Sequence, residues 1–217
     1  MCGIPEKHNL RSLKELENSA EDRISLQRIK NNLRAYGFGG DLETLDSFLA
    51  DNKKFISDCS KLLPFLPEKK AIILITESKE FIWNFHKYFP VLFALNFLGK
   101  SVFRTTMKLL IDRLLDKETS DSLFQSINQN LVIFSDLLRG DNRITAMESS
   151  IEGILTSILY TRKVIFTAQS SRLSEKEACN DVMYKIRSLY SSEIEAMFME
   201  STRPVVIRTC AGDNLWL

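Results

Sequence analysis

Two rhythms of apolar and polar positions divide this chain. Over the first forty residues Leu13, Leu16, Ile24, Ile29 and Leu33 form a loose stripe on an otherwise polar background, which predicts helix. The glycines of GFGG (37–40) are a helix stop, because glycine takes the left-handed cap conformation cheaply. Asp41 is placed to cap a second helical stretch carrying Leu42, Leu45, Phe48 and Leu49. A third runs from about Lys53 to Leu63 and is ended by Pro64 and Pro67.

After Pro67 the rhythm changes to short apolar runs, rich in β-branched residues, separated by helical stretches. The runs are AIILIT (71–76), SVFRTT (101–106), NLVIFSD (130–136), KVIFTAQSS (163–171) and PVVIRTC (204–210). Continuous apolar runs of this length are buried on both faces, as in a parallel sheet. The intervening stretches predict a helix reaching Leu98, one over MKLLIDRLLD (107–116), one over MESSIEGILTSILYTR (147–162) and one around Val182–Met199. Strand and helix alternating in this way predict a parallel five-stranded sheet wrapped by helices. A helical segment, 1–66, precedes an α/β domain, 67–217.

Composition narrows the picture. The chain has 217 residues, 44% hydrophobic and 26% charged, the balance of a globular protein able to bury its own core. A net charge of +1 sets up no strong field for nucleic acid or anionic lipid, though a local basic patch is compatible with it. Arg28, Lys30 and Arg34, and Arg139 and Arg143, are the candidates for contact with a partner or with DNA. The bland alternative for them is a solvated face. Cys2, Cys59, Cys179 and Cys210 form no CxxC pair, and His8 and His86 are the only histidines, so no zinc-binding spacing exists. The thiols read as free, in a reducing compartment. The N-terminus has no apolar signal region and Val91–Leu98 is too short to span a bilayer. A cytoplasmic protein without a membrane segment is expected.

From Ala71 onward the succession AIILIT, FALNFLGKSVFRTTMKLLIDRLL, NLVIFSDLL, RKVIFTAQSS and IRSLYSSEIEAMFMESTRPVVIRTCAGDN resembles the AAA+ ATPase core of bacterial replicative-helicase loaders, the DnaC/DnaI group, and the related IstB transposition helpers. The resemblance implies a P-loop NTPase-like sheet of the AAA+/RecA type. It also implies a phosphate loop, GxxxxGK[ST], after the first strand, whose glycines let backbone amides turn toward phosphate. Laid without gaps, that loop falls on ESKEFIWN, Glu77 to Asn84, which contains no glycine. Glu77 and Glu80 stand where glycines would be, and Trp83 falls about where the lysine should be. Lys79 is the available substitute. Two carboxylates facing a triphosphate repel it, by about 1 kcal/mol per pair at 4 Å even in water.

The other motifs of the family are altered too. Ser135 occupies the place of one of a pair of acids and Asp136 that of the other; the alternative for Asp136 is a strand terminator. Gln169 lies near the sensor asparagine, and Arg187 matches the arginine of an Arg-x-Leu. A local turn bond and an exposed helical arginine are the plain alternatives. The aromatic run Phe81, Trp83, Phe85, Tyr88, Phe89, Phe93 and Phe97 reads mainly as core, with exposure to a partner as the sharper alternative. Pro90 should kink or restart its helix, and His86 reads as a polar gap in the run.

The expectation is therefore a non-catalytic interaction protein with a loader-like core, no cofactor, and a replication helicase or loader as partner. One alternative is an NTPase or other enzyme with an atypical nucleotide site built on Lys79 and Asp136. Another is a DNA-binding regulator or transposition helper.

Overall fold

The computed structural model describes residues 10–17, 23–36, 38–66, 71–97, 100, 102–106, 108–109, 112, 131–135, 137–138, 148–161, 163–172 and 174–208. The strands are β1 (Ala71–Thr76), β2 (Val102–Thr106), β3 (Leu131–Ser135), β4 (Val164–Gln169) and β5 (Thr202–Ile207). They form one sheet in the order β2-β3-β4-β1-β5, and every neighbouring pair is parallel. All six β1 residues are buried, as their unbroken apolar run predicted. Most of the helix expected over 107–116 lies outside the described residues.

Alternate residues of β1 face two different cores. Ile72 and Leu74 belong to a cluster shared with the N-terminal helices α1 (Leu13–Glu17), α2 (Arg23–Asn31), α3 (Leu42–Asp51) and α4 (Lys53–Ser60) and with α5 (Lys79–Asn96). Ala71, Ile73 and Ile75 belong to a second cluster, built with α6 (Glu148–Thr161), α7 (Glu175–Leu189) and α8 (Ser192–Ser201). The period-two pleat thus makes a three-layer arrangement, helices on both faces of the sheet.

Several local expectations gain atomic reasons. The Asp41 carboxylate accepts the Thr44 N–H at 2.8 Å and caps α3. Phe38 is buried between GFGG glycines, and a Cβ on Gly40 would stand 2.8 Å from its ring. Helix α4 stops at Ser60, short of Leu63, and passes through a turn into a 3-10 segment, Leu63–Phe65, that contains Pro64. The single helix expected around Val182–Met199 is two, α7 and α8. Ser191 between them accepts the Ile194 N–H at 3.1 Å and starts the second. Strand β5 begins two residues before Pro204, pairing Thr202 with Ala71. It lies at the sheet edge, where a proline is tolerated.

Pro90 does not restart α5, which runs as one helix through it. Proline has no N–H to give the carbonyl four residues back, which is that of His86. Arg104 of β2 supplies a donor instead, its guanidinium Nη1 2.6 Å from the His86 carbonyl oxygen. Helix α5 is gripped elsewhere by phenylalanines four residues apart. Ring centroids are 6.3 Å apart for Phe81–Phe85, 4.4 Å for Phe85–Phe89, 5.9 Å for Phe89–Phe93 and 4.6 Å for Phe93–Phe97. Phe55 of α4 and Phe48 of α3 meet this side, the latter stacked on Tyr88 at 3.6 Å. The aromatic run is therefore core, with Trp83 as its exposed member.

Arg104→Ala should destabilise the protein by about 1 kcal/mol in urea unfolding, the ordinary worth of one partly solvated hydrogen bond. In a Pro90→Ala background, where residue 90 regains its N–H, the same substitution should cost measurably less.

Candidate functional site

The connection from β1 to α5 consists of two residues, Glu77 and Ser78. Their geometry is closed by short-range bonds. The Ser78 N–H donates to Thr76 Oγ1 at 3.3 Å, and Ser78 Oγ accepts the Phe81 N–H at 3.0 Å. The Ile82 N–H donates to the Ser78 carbonyl at 3.2 Å. From β4, Gln169 Nε2 donates to the Glu77 carbonyl at 2.9 Å, and the Ser170 N–H donates to the Thr76 carbonyl at 3.1 Å. The segment expected as a loop over Glu77–Asn84 is thus helix from Lys79 onward. Ser78 is a good N-cap, and residues 79–84 contain no glycine or proline to delay the helix.

A cavity of about 730 Å³ opens where β3 and β4 end. One wall is the face of α5 that carries Lys79, Ile82, Trp83 and His86, spaced three and four residues apart. Ser135 and Leu138 close it from the end of β3, and Thr167, Ala168 and Gln169 from β4. Lys185 of α7 also lines it. The size falls within the range of small-molecule sites, and the carboxyl ends of parallel strands are where such sites form.

His86 is the cavity's most perturbed group. Its Nε2 lies 3.0 Å from Thr167 Oγ1. Burial, with a lesser push from the Arg104 guanidinium, lowers its pKa from 6.5 to about 4. The imidazole is neutral at pH 7 and offers no charge to a ligand. Lys185 Nζ donates to Asp181 at 2.8 Å, and the same carboxylate oxygen accepts from Ser170 Oγ at 2.7 Å. Burial pulls the Asp181 pKa up, but the bonds from Lys185 and Ser170 outweigh it and hold the carboxyl below its ordinary range. Ser135 Oγ donates to the Thr105 carbonyl at 3.3 Å. Among the described residues no group of three or more His, Cys, Asp or Glu side chains is placed to hold a metal ion.

Of the residues singled out from the sequence, the cavity gathers Lys79, Trp83, Ser135 and Gln169. Glu77 takes part through its carbonyl. Glu80 and Asn84 lie on α5 away from the lining, and Arg187 is exposed on α7, 3.8 Å from Glu195. Asp136, Arg139 and Arg143 lie outside the described residues. Arg28 and Arg34 are exposed, Arg34 in a 3-10 turn rather than in α2, and Lys30 is paired with Glu17. Sequence reasoning missed His86, Thr167 and Lys185. For His86 a signal existed: it is seven positions from Lys79, on the same helical face. Cys59 and Cys179 are free thiols.

Five parallel strands in this order, with helices on both faces, define an α/β fold of the P-loop NTPase, AAA+-like kind. The crystal structure of the DnaC helicase loader is similar to this chain, with a TM-score of 0.53 and 16% sequence identity, over 70% of this chain and 90% of that one. At that identity the likeness is one of fold. No protein-family model matches the chain, and no curated protein matches it. No helix among the described residues is long and apolar enough to cross a membrane.

The His86 shift has a stability consequence. Its pKa is lower in the folded state, so the unfolded chain takes up the proton first. The stability that neutral His86 contributes is complete above pH 6.5 and is lost as the pH falls from there through 4. The loss should be on the order of 3 kcal/mol. Urea unfolding of the wild type and of His86→Gln at pH 7, 5.5 and 4 should show the variant losing less stability across this window.

Proposed function

We propose that this chain is a non-catalytic interaction module with a helicase-loader-like core, acting in DNA replication by binding a helicase, a loader or another replication partner. The observation that carries the non-catalytic half is the β1–α5 connection. A phosphate loop works by turning several unencumbered amides toward the phosphate oxygens. Here two residues make the turn, and the N–H groups of Ser78, Phe81 and Ile82 are already bonded within it and the helix. Every residue from Glu77 to Asn84 carries a side chain, and Glu77 and Glu80 add charge of the wrong sign. The phosphate loop is in this reading lost, and with Ser135 in place of an acid the metal-holding strand end is eroded as well.

The partner half rests on the likeness to a helicase loader and on Trp83. Trp83 is 60% exposed on a helix whose other aromatics are buried. Lys87 Nζ sits 4.9 Å from the centre of its ring, a stem-and-ring pair that holds the indole out in a defined position. Tryptophans of this kind are favoured anchors at interfaces.

Two measurements test the reading. A nucleotide at a hundred times its Kd would stabilise the protein by about 2.7 kcal/mol. ATP or ADP with Mg²⁺ should give no thermal shift, whereas a shift of several degrees, abolished by Lys79→Ala, would favour an atypical nucleotide site. In affinity capture from the native host, the wild type should retain a replicative helicase or loader. Trp83→Ala should lose it while its stability stays within about 0.5 kcal/mol, as expected for an exposed position. Recovery of metabolic enzymes with no replication factor would sink the partner assignment.

A further inference from the structure

We infer that Lys79, Trp83 and Lys87 form a docking ridge for an extended acidic segment of a partner protein, one that sets an apolar side chain against the indole between two carboxylates. The inference rests on the partner reading given above for Trp83 and names the chemistry that the partner brings.

The three residues follow one another at intervals of four along α5, so they lie on one ridge of the helix. Trp83 and Lys79 are exposed, and Lys87 is half-buried. The Lys87 ammonium stands over two rings, 4.9 Å from the centre of Trp83 and 4.7 Å from that of Tyr88. Tyr88 is buried and stacked on Phe48, so the core positions this cation. Rings attract an ammonium but leave its three N–H donors without strong acceptors. Among the described residues neither Lys79 nor Lys87 is paired with a carboxylate, whereas Lys30, Lys61 and Lys185 each are. A carboxylate at each end would complete the ridge, and the indole between them offers an apolar surface.

The spacing selects the form of the partner. From Lys79 to Lys87 the helix rises about 12 Å. Four residues of extended chain rise about 13 Å, and alternate side chains of such a chain point the same way. Acid, apolar residue and acid at every second position therefore match lysine, indole and lysine in order and in span. Ile82, half-buried, lines the cavity together with Trp83 and adds apolar surface near it.

A single nucleic-acid strand suits this ridge less well. Lys87 already covers one face of the indole, where a base would stack. Glu80 is exposed beside Lys79. It opposes a chain charged at every unit more than one that brings two carboxylates.

Random peptides displayed on phage, selected on the wild type and counter-selected on Trp83→Ala, test the ridge without reference to any host protein. The enriched sequences should carry the acid, apolar, acid pattern at alternate positions. One of them, synthesised with a fluorophore, should bind along a saturable anisotropy curve that weakens as salt rises. Lys79→Ala and Lys87→Ala should each weaken it about threefold to fivefold, with the circular dichroism spectrum unchanged. Glu80→Gln should tighten it about twofold. Lys54→Ala, an exposed cation on α4, should leave it as it is. Lys79→Glu should lose this peptide and bind instead the version whose matching acid is replaced by lysine, which shows the variant to be folded. Enrichment of neutral or basic peptides, or no enrichment, would overturn the proposal. So would a short oligothymidylate that binds more tightly than the peptide and displaces it. Capture of a replication factor by a contact indifferent to both lysines would remove this inference and leave the partner reading standing. Acidic peptides selected while no replication factor is captured would do the reverse.

Discussion

Helix α5 is held by one side, and most of what this molecule presents follows from that grip. Its phenylalanines recur every fourth residue while the helix turns every 3.6, so the stripe drifts about 160° around the axis between Phe81 and Phe97. At the amino-terminal half, Phe81 meets Phe55 of α4 and stacks on Phe85, and the side carrying Lys79 and Trp83 is left open. At the carboxyl-terminal half the wandering stripe is joined by Val91, Leu92 and Leu95, and the helix is buried all round. A helix pinned in this phase has no choice about which residues it shows: Lys79, Trp83 and His86 must meet the ends of β3 and β4.

The same constraint links the N-terminal helices to the site. Phe48, Phe55 and Phe38 contact the ladder or Tyr88 directly, and their cluster continues into Ile72 and Leu74 of β1. The helices ahead of the sheet therefore fix the rotation of α5, and through it the shape of a cavity they do not line. Gln169 and Ser170 fix the other end by tying β4 to the β1–α5 turn.

Much of this architecture was legible in the sequence. The run at 71–76 was bounded correctly because five consecutive apolar residues closed by a threonine suit a fully buried strand. The break between α7 and α8 was missed because the apolar rhythm continues across it; a single serine hydroxyl, not a change of pattern, starts the new helix. The cavity was half legible. Lys79, Trp83, Ser135 and Gln169 were found because the family resemblance lays its phosphate loop, acid pair and sensor on the stretches that follow or end recognisable strands. His86 and Thr167 are 81 positions apart, and a pair that distant is invisible until two elements pack. His86 was also disguised by its company, since a polar residue in an aromatic run looks like a gap.

Pro90 and Arg104 carry a consequence for how this chain can change over time. The ring at 90 removes a donor from the helix, and the guanidinium at 104 restores it from the neighbouring strand. Neither residue is explained by its own element: a proline in mid-helix and an arginine on an apolar sheet both look like mistakes when viewed singly. Viewed jointly they are one solution written in two places. Descendants that replace the proline release position 104 to drift, and those that keep it are obliged to keep a long donor there. Across relatives the two positions should vary in step, a statistical footprint of a hydrogen bond.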